Sequence, residues 1–175
     1  MFRTIAYVVV ALIAAILIYA ATLPDHFSVQ RTVSIKAPPE KILPLITDFH
    51  RWDSWSPWEK MDPEMKRTFS GAANGKGAAY AWQGNSKVGE GRMEIVDVSP
   101  PSKITIKLDF LKPFEAHNTA EFALEPKGDS TNVTWTMYGP SPYLAKVMGI
   151  FASMDKMVGN DFEIGLANLK TAAET

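Results

Sequence analysis

The sequence predicts an α+β fold, a seven-stranded antiparallel sheet with a long amphipathic helix laid across one face, set behind an apolar amino-terminal helix. Three observations predict it. Residues 5–23 hold no charge at all. Seven runs between Phe27 and Tyr138 alternate apolar with polar side chains and are separated by breaks of hairpin length. Past Ser141, apolar residues recur at steps of three and four, the period of a helix with one buried face.

The first element is Ile5–Leu23, built from four Ile, three Val, three Leu, six Ala, two Tyr and one Thr. As a helix it is roughly 28 Å long, at about 1.5 Å per residue, which matches a hydrocarbon core about 30 Å thick. Tyr7 and Tyr19 fall near its ends, where amphipathic rings favour the interface. A cleaved signal peptide is the rival reading, and Arg3 suits both. The run is longer than the roughly 7–15 residues of a signal h-region. Cuts after Ala20 or Ala21 would place Ile18 or Tyr19 three positions back, and a cut after Thr22 would place Ala20 there. The expectation is a single-pass anchor over residues 1–24 followed by one domain over 25–175. Arg3 orients that domain towards the periplasm or outside of a bacterial cell.

Pro24 ends the anchor. Phe27, Val29, Arg31, Val33 and Ile35 then alternate with polar residues as a half-buried strand, stopped at Ala37-Pro38-Pro39. Glu40–Phe49 reads as a short helix kinked or restarted at Pro44, and Arg51–Asp62 as a loop rich in Trp and Pro. Strands follow near Lys66–Ser70, Lys76–Gly84, Val88–Val98, Ser102–Phe110, Glu115–Glu125 and Thr131–Tyr138. In the fourth of these, Ile104, Ile106, Leu108 and Phe110 share one face and Lys103, Thr105, Lys107 and Asp109 the other. That is the pattern of a sheet packed on one side only. The glycine-rich breaks at Gly71–Gly77 and Gly84–Gly91 open no helix, so they are hairpin turns rather than phosphate cradles. Ser141-Pro142 starts the last helical region. It divides into a short helix ending near Phe151 and a longer one over about Met154–Ala173. A sheet of seven strands curled around that helix leaves a cavity between them.

Composition narrows the chemistry. Of the 18 Lys and Arg residues only Arg3 precedes the domain, leaving 17 against 19 Asp and Glu, a formal charge of about −2. No basic stripe marks a nucleic-acid surface. The chain has no Cys, which removes disulfides, thiolate metal sites and a Cys nucleophile. Its three His residues are scattered, so zinc is not expected, and no cofactor is implied.

The candidate cavity residues are aromatic or apolar. Tyr80 and Trp82 share one strand face, and Trp135 and Met137 another. Phe110, Phe122 and Phe162 fall on the same inner faces of their own elements. Trp52, Trp55 and Trp58 recur every three residues beside Pro57, as a lid over a cavity mouth, an interfacial belt, or a plug holding the short helices to the sheet. Such residues bind an apolar guest by area burial or simply form core. His117 and Glu121 would be an acid–base pair only if their face turned inward. Asp161 and Glu163 read as a polar helix face, and Asp109 and Arg92 as surface charges.

With these pieces in order, the chain resembles the START-like, helix-grip superfamily, and within it the polyketide cyclase/dehydrase and lipid-transport family also called SRPBCC. The resemblance spans roughly Phe27–Glu174. It rests on Arg31-x-Val33-x-Ile35-x-Ala37-Pro38, Asp48-x3-Trp52-x2-Trp55-Ser56-Pro57-Trp58 and Ser70-Gly71. It continues in Gly75-x-Gly77-x4-Trp82-x-Gly84-Asn85, Val88-Gly89-x-Gly91-x-Met93, Thr131-x-Val133-Thr134-Trp135 and Gly159-x-Asp161-x3-Gly165-Leu166-x2-Leu169-Lys170. It implies a domain that binds a hydrophobic small molecule or lipid, tethered through residues 5–23. Two alternatives stand beside it: a cyclase or dehydratase type of enzyme using His117 and Glu121, and an interaction module whose interior is filled by Trp82, Trp135 and Phe162. A shared fold does not choose among them.

Overall fold

The computed structural model describes residues 2–175. An apolar helix, α1 (Phe2–Thr22), leads into strand β1 (His26–Ile35). Helix α2 (Pro39–Thr47), a 3-10 turn at Phe49–Ser54 and the single turn α3 (Trp58–Met61) follow. Six strands come next: β2 (Lys66–Gly71), β3 (Ala78–Gln83), β4 (Glu90–Ser99), β5 (Lys103–Lys112), β6 (Ala116–Lys127) and β7 (Ser130–Pro140). The chain closes with α4 (Tyr143–Phe151) and α5 (Met154–Glu174).

All seven strands join one antiparallel sheet in the order β1-β7-β6-β5-β4-β3-β2. Strands β2 to β7 are a simple meander, and β1 pairs back onto β7 through His26↔Pro140 to Ile35↔Thr131. The inner face is apolar, with Ile95, Ile104, Ile106, Phe122, Leu124 and Val133 all buried. Helix α5 covers that face with Phe162, Leu166 and Leu169. The architecture is the helix-grip arrangement expected from alternation and periodicity.

Local chemistry explains where the elements stop. Ser153 caps α5 by accepting from the Lys156 amide at 3.4 Å, so the helical region divides between Phe151 and Met154, the position expected from the sequence. One expectation is narrowed and one corrected. Helix α2 runs through Pro44 without a restart. Pro44 cannot donate to the Glu40 carbonyl, but Glu40 is exposed and water can take that bond. The segment expected as a loop over Arg51–Asp62 holds helical turns instead. They are fixed because the Trp52 and Trp55 indoles donate to the Ile46 and Leu45 carbonyls, each at 2.9 Å. These carbonyls belong to the last turn of α2, which has no helical partner for them.

On β1, Arg31 faces α5 and bridges Asp155 and Glu163 on it, both at 2.7 Å. These contacts hold its proton even more firmly than usual. The guanidinium packs against the α5 backbone at Gly159, where a Cβ would lie 2.3 Å from it.

Candidate ligand cavity

The gap between the sheet and the amino-terminal half of α5 is an open-mouthed cavity of about 470 Å³. Its floor is the inner face of β3 to β7, with Tyr80, Met93, Ile106, Asn118, Ala120 and Met137. Met154, Val158, Asp161 and Phe162 of α5 form the roof, and Trp58 and Glu59 close one side. The mouth lies between Val88 and Gly89 of the β3–β4 turn, Pro113 and Phe114 of the β5–β6 turn, and Met157 of α5. A second depression, about 520 Å³, runs across the ends of β1, β6 and β7 beside His26 and His117. It is an open groove rather than an enclosure, so the cavity under α5 is the better candidate.

The nine aromatic and apolar candidates divide by position. Trp52, Tyr80, Trp82, Phe110, Trp135, Met137 and Phe162 border the cavity. Trp55 and Phe122 lie behind its wall, both fully buried. Trp55 stands edge-on to Trp135 with centroids 5.6 Å apart, and Phe122 stacks on Trp135 at 4.9 Å. Trp135 in turn stacks on Phe162 at 4.1 Å and 8°, and Trp58 meets Trp135 edge-on at 5.7 Å. A stack running from the sheet through Trp135 into α5 sets how far the helix stands off the sheet. The Trp135 indole N–H is buried and lacks a hydrogen-bond partner among the described residues.

The polar groups of the cavity are few. Glu59 accepts from the Tyr80 hydroxyl at 2.6 Å and from Arg67 Nε at 2.6 Å. Burial, then the neighbouring Glu59, push the Tyr80 hydroxyl pKa far up, so it stays protonated and donating. Asp161 lies half-buried on the roof with no cation within salt-bridge distance among the described residues. Burial raises its pKa above the usual Asp value.

Glu59 could not be foreseen, since its position depends on the turn made by Trp58–Met61 and on a cation arriving from β2. Asp161 could have been. It lies at i+7 from Met154 and i+3 from Val158, on the inner stripe of α5 rather than on the outer face with Glu163. His117 and Glu121 lie on the outer face of the sheet. His117 is 63% exposed and contacts Asp109 at 2.8 Å, while Glu121 pairs with Lys103 at 2.8 Å. Asp109 is on that outer face too, yet it is buried, covered by the side chains of Lys107, His117 and Arg92. Burial pushes its pKa up, but His117 and Lys107 outweigh that and hold it below the usual value.

The family model described as polyketide cyclase / dehydrase and lipid transport matches residues 26–174. No curated protein matches the chain. Among solved structures it is similar to a Chromobacterium violaceum protein at 12% identity and TM-score 0.58, covering 87% of this chain and 99% of that one. It is similar to a Mesorhizobium loti protein at 20% identity and TM-score 0.57, covering 83% and 96%. A Staphylococcus epidermidis protein aligns at 19% identity and TM-score 0.58, covering 87% and 91%. At these identities the likeness is one of fold.

Proposed function

Because the chain belongs to the polyketide cyclase / dehydrase and lipid transport family, we propose that it is a membrane-anchored domain that binds one hydrophobic small molecule or lipid chain under α5. The observation that carries this reading is the cavity: about 470 Å³, walled by aromatic and aliphatic side chains, with polar groups at only a few points. That size and make-up suit a single apolar guest with one polar end. Area burial supplies the affinity, at about 25 cal/mol per Å² of apolar surface. Asp161, with its raised pKa, and Asn118 on the floor are among the polar groups that line the cavity and could meet the polar end. Support for the anchor comes from α1, which is long and apolar enough to cross a membrane and buries only Ala20. Its place beside Arg3 favours a domain facing the periplasm or outside.

Native mass spectrometry of the full chain, purified in detergent and extracted with organic solvent, tests the reading. A recurrent apolar adduct that is lost in a Met137→Trp variant, whose larger ring fills the cavity, is the expected result. A clean apo mass after incubation with membrane lipid would count against it.

A cyclase or dehydratase type of enzyme is the second reading, and Asp161 favours it. A carboxyl kept towards its acid form by burial is a group that could deliver a proton to a bound guest. Recovery of a chemically altered guest from the wild type and an unaltered one from Asp161→Asn would support that reading. Identical guests from both would remove it.

A further inference from the structure

The registers place several features at one end of the sheet. Pairings His26↔Pro140, Phe110↔Ala116 and Gln83↔Glu90 put the start of β1, the β5–β6 turn and the β3–β4 turn side by side. Those two turns carry the cavity mouth. Thr22 and His26 are four residue steps apart, at most about 14 Å of extended chain. The mouth therefore opens at the end of the domain where α1 leaves it.

Helix α4 is bound to α1 at that end. The Tyr143 hydroxyl donates to the Leu17 carbonyl at 2.8 Å, and Lys146 pairs with Asp25 at 2.5 Å. Leu17 lies about 8 Å in from the end of α1, at about 1.5 Å per residue. Helices that lie in a bilayer interface bury their apolar face to about 5–10 Å. Leu144, Met148 and Phe151 follow at i, i+4 and i+7 and make one outward stripe, 70%, 50% and 70% exposed. Phe114, 71% exposed, and Leu111 stand beside the mouth at the same end. At the opposite end of the same strands, the β6–β7 turn is Gly128 and Asp129 and the β4–β5 turn is Pro100, Pro101 and Ser102.

We propose that this end of the domain rests on the bilayer that α1 crosses, with α4 lying in its interface and Phe114 against it, so that a guest passes between bilayer and cavity without entering bulk water. The proposal rests on the anchor reading above and deepens it: the occupant of the apolar end is lipid. The depth of Leu17 decides for lipid over a protein partner. A helix hydrogen-bonded to that carbonyl lies level with the outer turns of the span. Lys146 and Asp25 then sit at headgroup depth, where a charged tip on an apolar helix is tolerated.

The chain has no Cys, so single spin labels report depth without background. The full chain is reconstituted in vesicles of phosphatidylethanolamine and phosphatidylglycerol, with labels at Leu144→Cys, Met148→Cys, Phe151→Cys and Phe114→Cys. Leu12→Cys serves as the control within α1 and Asp129→Cys as the control at the far end. The ratio of oxygen to water-soluble nickel-chelate collisions is measured at each. Oxygen should dominate at 12, 114, 144, 148 and 151, and the ratio should invert at 129. Lipid contact at 12 with aqueous values at 144, 148 and 151 would overturn the docking while leaving the anchor standing. An aqueous value at 114 alone would overturn the placement of the mouth. Aqueous values at 12 as well would overturn both the anchor and the docking.

Discussion

Two carboxylates and one glycine show how single residues set the behaviour of this chain. Asp109 has its pKa held below the usual value near 3.8, so the stability it contributes is present above that value and is lost as the pH falls through its folded pKa. Asp109→Asn should therefore flatten the acid limb of a urea-denaturation series. An unchanged limb would show that the Lys107 and His117 contacts carry no stability. Asp161 has the opposite sign. Its pKa is raised by burial, so its contribution is present in acid and is lost as the pH rises through the raised value. Asp161→Asn should raise the denaturation midpoint at neutral pH relative to the wild type and leave it unchanged in strong acid. Gly91 sits at one of the close approaches in the sheet. A Cβ there would stand 2.4 Å from the Trp82 ring and 2.6 Å from the Asp109 carbonyl oxygen. Gly91→Ala should cost about 1–3 kcal/mol, the usual penalty for overpacking, read from the same denaturation curves.

At the scale of elements, the segment between α2 and β2 is held by indoles rather than by its own backbone. Trp55 is fully buried and donates to the Leu45 carbonyl. Trp55→Phe keeps a ring but strands that carbonyl, and should destabilise the fold by about 1–3 kcal/mol. The join between β1 and α5 behaves differently. Arg31 makes two short ion pairs, but Asp155 and Glu163 are both well exposed to solvent. Arg31→Met should leave the thermal midpoint nearly unchanged, and a clear loss in thermal unfolding would mean that the pairs are not screened as their exposure implies. The boundary between α4 and α5 falls where the sequence divides its last helical region, between Phe151 and Met154. The role of α4 was not readable in the sequence. Leu144, Met148 and Phe151 continue the helical period of α5, yet they point away from the core because Ala152 and Ser153 redirect the chain.

At the scale of the whole molecule, α1 and the domain are nearly separate in energy. The buried apolar cluster begins at Val29 and takes no residue from α1. A chain of residues 25–175 should fold with a thermal midpoint within a few degrees of the full chain, since the main contacts of α1 are with α4. A drop much larger than the roughly 2–8 °C that corresponds to 1 kcal/mol would show that α1 is part of the fold. Within the domain, the stack through Phe122, Trp135 and Phe162 couples sheet to helix. The cavity exists because that stack occupies only part of the gap.

The sequence by itself determined the order of elements, the inner and outer face of most strands and the apolar span. Each of these follows from a local period, two for a strand and 3.6 for a helix, or from an unbroken apolar length. It placed a cavity between the sheet and the last helix but did not fix its size or its lining. Whether Tyr80, Trp135 and Phe162 make solid core or line a space depends on the distance between α5 and the sheet, a contact between residues far apart in the chain. The same holds for Glu59, which reaches the cavity by pairing with Arg67 and Tyr80, and for α4, whose apolar stripe could as well have been core. Only the tertiary structure decided these, because periodicity records which face of an element is apolar and not what stands opposite it.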